Sequence, residues 1–372
     1  MATGSFRYGH ASASHWRETA ESCLVQLGAI PSSANLGFLY VTDFFSGYLS
    51  EILAFFKTRT PVKHWVGTVG IGICSTGREY LDQPAIAVML AELPADSFRV
   101  FPSIIDRHEN FPHDDFIAPG APGYFAIVHG DPRHSGIVEI VTRLAERMES
   151  GFLTGGLTSS RRKVVQIADE VAQGGVSGVS FSRKVSISTR LTQGCSPIGP
   201  RHVITACEGN LIIEIDDKPA LDVFKEDIGE VLARDLRRVD GHIFVGLPVA
   251  GSDTGDYLVR SPGIDVKQRF IAIGEPLQHG QPLIFCRRDS ASAHDDMKRM
   301  LQDIKRDLKE QPKGGVYYSC LGRGEMLFGP DSAELKIIGE TLGDFPLVGF
   351  FANGEISHNR FYGYTGVLTL FT

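Results

Sequence analysis

Cysteine pairs at metal or redox spacing are missing. The six cysteines (Cys23, Cys74, Cys195, Cys207, Cys286, Cys320) stand far apart, mostly inside apolar runs, and none forms a C-x-x-C. That speaks against a zinc site or a disulfide framework and fits reduced, buried thiols. Long hydrophobic runs are missing too: even AIAVMLAEL is short of the roughly 18 apolar residues of a membrane span, and it contains Glu92. The opening MATGSFRYGHASASHW has no apolar signal-peptide core, so a soluble, cytoplasmic chain without a membrane partner is expected. Positive charge is scarce. The net charge of -7 and the short Arg161-Arg162-Lys163 cluster leave no basic surface for a phosphate backbone, and nucleic acid is not expected as a partner. No G-x-x-x-x-G-K-[ST] occurs either.

Glycine, by contrast, is plentiful: 41 of 372 residues, above the average share of roughly 7%. A hydrophobic content of 42% with 22% charged residues describes a folded globule. The length exceeds a single core of about 100 to 200 residues, which predicts two domains.

The last sixty residues set the pattern. An apolar run (Val316 to Cys320), a glycine-rich loop (Leu321 to Gly329), an amphipathic segment (Asp331 to Leu342) and two strand-like runs joined by a polar connection (Asn353 to Tyr362) spell β-α-β-β. Asp331 and Glu334 have capping-box spacing, and Gly343 stands where a left-handed C-cap is needed. The same order begins at His15: a helix to Leu27, a strand from Leu36 to Val41, a helix capped by Ser46, then runs from His64 to Cys74 and Pro84 to Leu93. A second unit starts at Gly123 and runs through a helix after Ser135 to GFLTGGLTSS and GGVSGVSFS. Phe101 to Pro122 reads as a long surface loop. Residues 185 to 215 alternate as half-exposed strands, and from His242 to Arg288 the strands read as mostly antiparallel. The expected fold is α+β: an extension and leading helix (1–30) and two related domains, 31–217 and 218–372, of repeated β-α-β-β units flanked by helices.

The runs CLGRG, FFANGEISHNR and YTGVLTLF resemble the C-terminal half of the FIST family, named for F-box and intracellular signal-transduction proteins, and IIEIDDKPALDVFKEDIG resembles the link between its halves. The resemblance implies a two-domain sensory module that binds a small ligand, an amino acid having been suggested for the family, and signals through a separate partner protein. It implies no reaction. Haem is an alternative cofactor by the same resemblance, and an interaction scaffold an alternative role.

Glycines repeated at matching places in the strands, Gly67 and Gly70, Gly155 and Gly156 with Thr158, and Gly349 with Asn353 and Gly354, would leave room for a ligand if they are not explained by tight sheet packing. Gly67, Gly70 and Gly72 lie inside a strand leading to a strand, which is wrong for a dinucleotide fingerprint. The loops offer Cys320, Arg323, Glu355, His358 and Asn359 as polar candidates. Arg323 could grip a carboxylate or phosphate. Cys320, His358 and Glu355 could form a nucleophile, base and acid of a hydrolase or transferase, against the reading of a buried, inert thiol. His108, His113, His129 and His134 crowd near Asp106, Asp114, Asp115 and Asp131. The spacing is not that of a helical metal pair, and no metal is expected. Asp43 and Asp131 are read as helix caps.

Overall fold

The computed structural model describes residues 6–106, 123–249 and 256–372. The chain is α+β. Its contacts divide it into a larger unit, residues 1–192 with 297–372, and a smaller one, residues 193–296. Residue 217 lies within the smaller unit, so the contacts cut the chain elsewhere than the sequence pattern does.

The larger unit is built from three copies of one motif. The first comprises β1 (Phe6–Ala11), α1 (Trp16–Leu27), β2 (Leu36–Thr42), α2 (Leu49–Arg59), β3 (His64–Gly70), the hairpin β4 (Gly72–Ser75) and β5 (Arg78–Leu81), and β6 (Ile86–Ala91). The second comprises β7 (Phe98–Ile104), β8 (Phe125–Gly130), α3 (Ile137–Arg147), β9 (Phe152–Leu157), the hairpin β10 (Gln166–Ala168) and β11 (Glu170–Ala172), and β12 (Val176–Phe181). The third starts at β13 (Ile187–Gln193), and the smaller unit is inserted after it.

That insertion holds β14 (Cys195–Glu208), β15 (Leu211–Ile215), β16 (Lys218–Pro219), α4 (Ala220–Ala233), β17 (Ile243–Pro248), β18 (Tyr257–Arg260), β19 (Gly263–Asp265), β20 (Phe270–Ala272) and β21 (Pro282–Arg288). All its recorded pairings are antiparallel. Its core packs Phe224 of α4 against Ile204, Ile215, Val245 and Phe285. The parallel pair that defines the motif is not among these pairings, so the repeat does not extend into 193–296.

The third copy resumes with α5 (Ser290–Asp307), β22 (Gly314–Cys320), α6 (Glu325–Phe328), α7 (Ala333–Leu342), β23 (Leu347–Ala352), the hairpin β24 (Glu355–Ser357) and β25 (Arg360–Tyr362), and β26 (Thr365–Phe371). In every copy two strands run parallel (β2/β3, β8/β9, β22/β23) and a third returns antiparallel beside the first (β6, β12, β26). Such strands are covered on both faces, which is why LGFLYVT of β2 reads as a continuous apolar run, all of it buried.

The hairpins do not stay at home. The β4–β5 pair adds to β23 of the third copy, β10–β11 to β3 of the first, and β24–β25 to β9 of the second. The result is three six-stranded sheets of one plan: β1-β6-β2-β3-β10-β11, β7-β12-β8-β9-β24-β25 and β13-β26-β22-β23-β4-β5. What the sequence pattern reads as one strand from His64 to Cys74 is therefore two, bent at Ile71 and belonging to different sheets. A Cβ on Gly70 would lie 2.3 Å from the Gly72 carbonyl oxygen, so the bend needs glycine there. The polar connection 353–362 is likewise a hairpin, and the expected surface loop starts later, because Phe98–Ile104 is strand β7. Residues 107–122 lie outside the described residues.

The inner faces of the three sheets share one core, with Phe38 and Tyr40, Ile127 and Phe181, and Val316, Tyr318, Phe350 and Phe371 buried together. Burial of each large apolar side chain is worth about 1.5–3 kcal/mol. Helices cover the outer faces: α2 sets Ile52 and Phe56 beside Val69 and Val88, and α3 sets Ile140 and Leu144 beside Val128 and Leu153. No described helix is long and apolar enough to cross a membrane.

Candidate functional site

The strands β22 and β23 end together, and the chain leaves β22 through the loop 321–324 into the single turn α6. Carboxyl ends of parallel strands are where open α/β sheets place ligands. Here the loop carries Arg323, which is fully buried.

Its partner is Glu334, in the first turn of α7. The capping box does not form, because Asp331 and Ser332 take φ of 63° and 59° and turn the Glu334 carboxylate inward. Glu334 Oε1 accepts from Tyr317 Oη at 2.6 Å, Arg323 Nε at 2.8 Å and Ser319 Oγ at 3.0 Å, while Oε2 accepts from the Gly324 amide at 2.9 Å. The guanidinium lies 4.8 Å from the centre of the Phe328 ring. Taking two charges out of water costs several kcal/mol, and only such a saturated set of donors offsets it. Gly343 ends α7 at φ 86° and ψ 175°, which is outside the left-handed helical region.

Not every polar atom of this pair and of the nearby carboxyls is satisfied. Arg323 Nη1, Glu355 Oε1 and both carboxyl oxygens of Glu79 are buried without a hydrogen-bond partner. Glu79 comes from β5, the hairpin lent by the first copy, and Glu355 opens β24 beside the end of β22. The other oxygen of Glu355 accepts from Thr365 N and Oγ1 at 3.1 and 2.7 Å. The Glu325 amide faces the Glu79 carboxyl without closing a hydrogen bond. Burial first, and then the charge on Glu334, push Glu79 up to about 8. Burial does the same for Glu355, to about 8, against the donors of Thr365. At neutral pH both are carboxylic acids, and Glu334 balances Arg323.

Two domain families match the chain. A FIST N domain matches residues 35–218 and a FIST C domain residues 220–358. The chain belongs to the FIST family. It is similar to an uncharacterized protein of Mycobacterium tuberculosis, 28% identical over 347 residues, covering 86% of this chain and 87% of the relative. An uncharacterized protein of Mycobacterium bovis is 28% identical over 333 residues, 82% of each chain.

Within this FIST protein the glycines expected to open a cleft are packed. A Cβ on Gly67, Gly155 or Gly349 would lie 1.8, 1.9 or 1.7 Å from the carbonyl oxygen of Leu39, Val128 or Tyr317, its neighbour on the parallel strand. These three occupy the same register in the three copies, and close strand approach explains them. Gly156 meets Ala352 and Phe350, and Thr158 bonds Thr68 and Gln166 inside the interface between two sheets. Asn353 is exposed, Gly354 bonds Leu157 through its carbonyl, and Asn359 is half-buried in the β24–β25 turn.

The proposed nucleophile and base are not assembled. His358, at φ 58°, sits in that turn with its ring against Phe152, 3.8 Å between centroids. It lies three residues along the strand from Glu355, roughly 10 Å at 3.3 Å per residue. Burial and the charge of Glu355 push the Cys320 thiol up to about 12, the opposite of an activated thiolate.

The remaining candidates are dispersed. His129 is fully buried where the copies meet, its Nε2 3.1 Å from Tyr40 Oη, which is 3.2 Å from Tyr318 Oη. The three residues hold equivalent strand positions, and burial lowers His129 to about 3. His134 Nδ1 accepts from the Gly136 amide instead. His108, His113, Asp114 and Asp115 lie outside the described residues. Among the described residues no group of three His, Cys, Asp or Glu side chains is arranged to hold a metal ion. Asp43 and Asp131 do not cap helices: Asp43 accepts from Arg161 N, Nε and Nη2, each at 3.0 Å, and Asp131 from Arg133 N, Nε and Nη2. A buried carboxylate thus meets an arginine directly after β2, directly after β8 and in α7, and only in the last pair is the arginine sealed as well. Glu79, Glu334 and Tyr317 escaped sequence reasoning, since nothing local marks a glutamate as inward-facing.

Proposed function

We propose that this FIST protein is a sensory module for a small polar metabolite, taken up among Arg323, Glu355 and Glu79 under the loop 321–329. One observation carries the reading: a guanidinium nitrogen of the buried Arg323 and three buried carboxyl oxygens of Glu79 and Glu355 lack hydrogen-bond partners. Such atoms cost about 1–3 kcal/mol each when left unpaired, and a ligand with matching donors and acceptors would recover that cost. Gly324 and Gly329, at φ 61° and 93°, supply the backbone freedom for the loop to lift and admit a ligand. The signal would then pass to a separate partner protein.

A thermal-shift screen of the full chain with amino acids and related metabolites tests this, because a ligand of the folded state raises the melting temperature by mass action. A shift for one class, lost in Glu355→Gln, is the expected result. A flat response across the panel would contradict it.

A further inference from the structure

Tyr40, His129 and Tyr318 hold equivalent strand positions, but His129 has a polar atom to spare: its Nε2 meets Tyr40 Oη, and its Nδ1 is buried without a partner. Ser177 lies directly opposite on β12, and side chains so opposed share a face with Cβ atoms about 4.5–5.5 Å apart. Its Oγ is buried and unpartnered too. A third such atom is Oε1 of Gln166 on β10, whose amide nitrogen is tied to Thr158 Oγ1 at 3.1 Å. Gln166 pairs with Thr68 and Thr68 with Tyr40, which sets it on the inner face as well, and β10 packs beside β12.

The third copy shows where this position leads. Glu355 pairs with Gly156 of β9 as Gln166 pairs with Thr68 of β3, each opposite the residue after a packed glycine. From there Glu355 reaches the next sheet at Thr365 of β26. Thr365 precedes Val367, the partner of Tyr318, by two residues, and Gly175 precedes Ser177, the partner of His129, by the same step. Gln166 therefore abuts the end of β12 that carries Ser177. In the remaining junction Ile73 takes this position in one apolar cluster with Ala85 and Ala87.

We propose that one enclosed water molecule binds where the first and second copies meet, held by His129 Nδ1, Ser177 Oγ and Gln166 Oε1. About three polar partners are the usual complement of a buried water. None of the three atoms bonds another, and polar groups too far apart to bond directly are joined by a bridging water. Water both donates and accepts, so it serves an acceptor-only carbonyl oxygen, a hydroxyl and an imidazole nitrogen in either tautomer. The polar chain then runs from this water through His129 and Tyr40 to Tyr318, one residue from each copy. A single enclosed molecule does not hydrate an imidazolium as bulk solvent does, and His129 stays neutral.

The test is a high-resolution crystal structure of the full chain, with magnetisation transfer from water to the His129 ring measured by NMR in solution. The expected result is an ordered water about 2.7–3.2 Å from His129 Nδ1, Ser177 Oγ and Gln166 Oε1, together with transfer to the ring. Gln166→Ile combined with Ser177→Ala, which copies the apolar junction of Ile73 and Ala87, should abolish both signals. A dry junction in the wild type, or Ser177 Oγ bonded directly to His129 Nδ1, overturns the proposal, and a water that persists unchanged in the double variant overturns the assignment of its ligands. The wild-type measurement decides the matter even if the double variant does not fold.

Discussion

Glu355 and Glu79 tie the stability of the fold to pH. In the unfolded chain a glutamate loses its proton near 4.5, whereas these two keep theirs to about 8. The unfolded state then binds fewer protons across that window, and stability falls as pH rises from about 4.5 to about 8. The slope is at most about 1.4 kcal/mol per pH unit for each fully buried group. Urea unfolding of the wild type and Glu355→Gln at pH 5, 6, 7 and 8 should give a shallower decline for the variant. Parallel profiles would refute the assignment. Glu334 behaves differently, since Glu334→Gln leaves Arg323 buried without its counter-charge. A loss of about 3–5 kcal/mol is expected in the same measurement.

Two histidines make a paired test. His202 in the smaller unit lies between Asp216 (2.6 Å) and Asp227 (2.9 Å), and although burial works against its charge, these two bonds win and raise its pKa. Its contribution to stability is full below the unfolded value near 6.5 and is lost as pH rises through the folded one. His129 has its pKa lowered to about 3. In an NMR titration of the imidazole resonances, His202 should change charge above pH 6.5 and His129 should stay neutral down to about pH 3. A His129 that titrates near 6.5 would mean that bulk solvent reaches the junction of the copies.

At the scale of elements the glycine contacts are the sharpest constraint. Gly349→Ala forces a Cβ into the Tyr317 carbonyl, which cannot give way without parting β22 from β23. Overpacking of this kind costs about 1–3 kcal/mol or more. Gly67→Ala and Gly155→Ala should cost similar amounts by chemical denaturation. Gly47→Ala, with nothing within 4 Å, should stay within about 0.5 kcal/mol of the wild type. Strand and helix identities were largely legible, because β2, β8 and β22 are apolar runs and α5 repeats Met297, Met300, Leu301 and Ile304 at helical spacing. The glycine register was legible as a repeat, but its meaning was not. Room for a ligand and contact with a carbonyl leave the same letter in the sequence. Arg323, Glu355 and Cys320 could be picked from their loops, whereas Glu79 arrives through a hairpin exchanged between copies, which no local pattern encodes.

For the whole molecule, that exchange makes stability non-local. Ile356 of β24 is fully buried in the cluster of Val128, Ile140 and Leu153, which belong to the second copy. Ile356→Ala should cost about 2–5 kcal/mol. Hydrogen exchange should accelerate first in β8, β9 and α3 and less in β22, β23 and α7. Faster exchange confined to the third copy would contradict the pairing. Counting the copies was beyond the sequence, because the insertion between β13 and α5 separates the opening strand of the third motif from the rest by about a hundred residues. The family domains meet at residues 218 and 220, inside the smaller compact unit.

Cyclic lending of strands has an arithmetical outcome. Each copy gives one hairpin and receives one, so the account closes at three. Removing a copy would strand one donated pair of strands and leave another sheet with a bare edge, open to neighbouring chains. Divergence among such proteins can therefore rewrite loops or enlarge the segment after β13, while the number of motifs in the ring stays fixed.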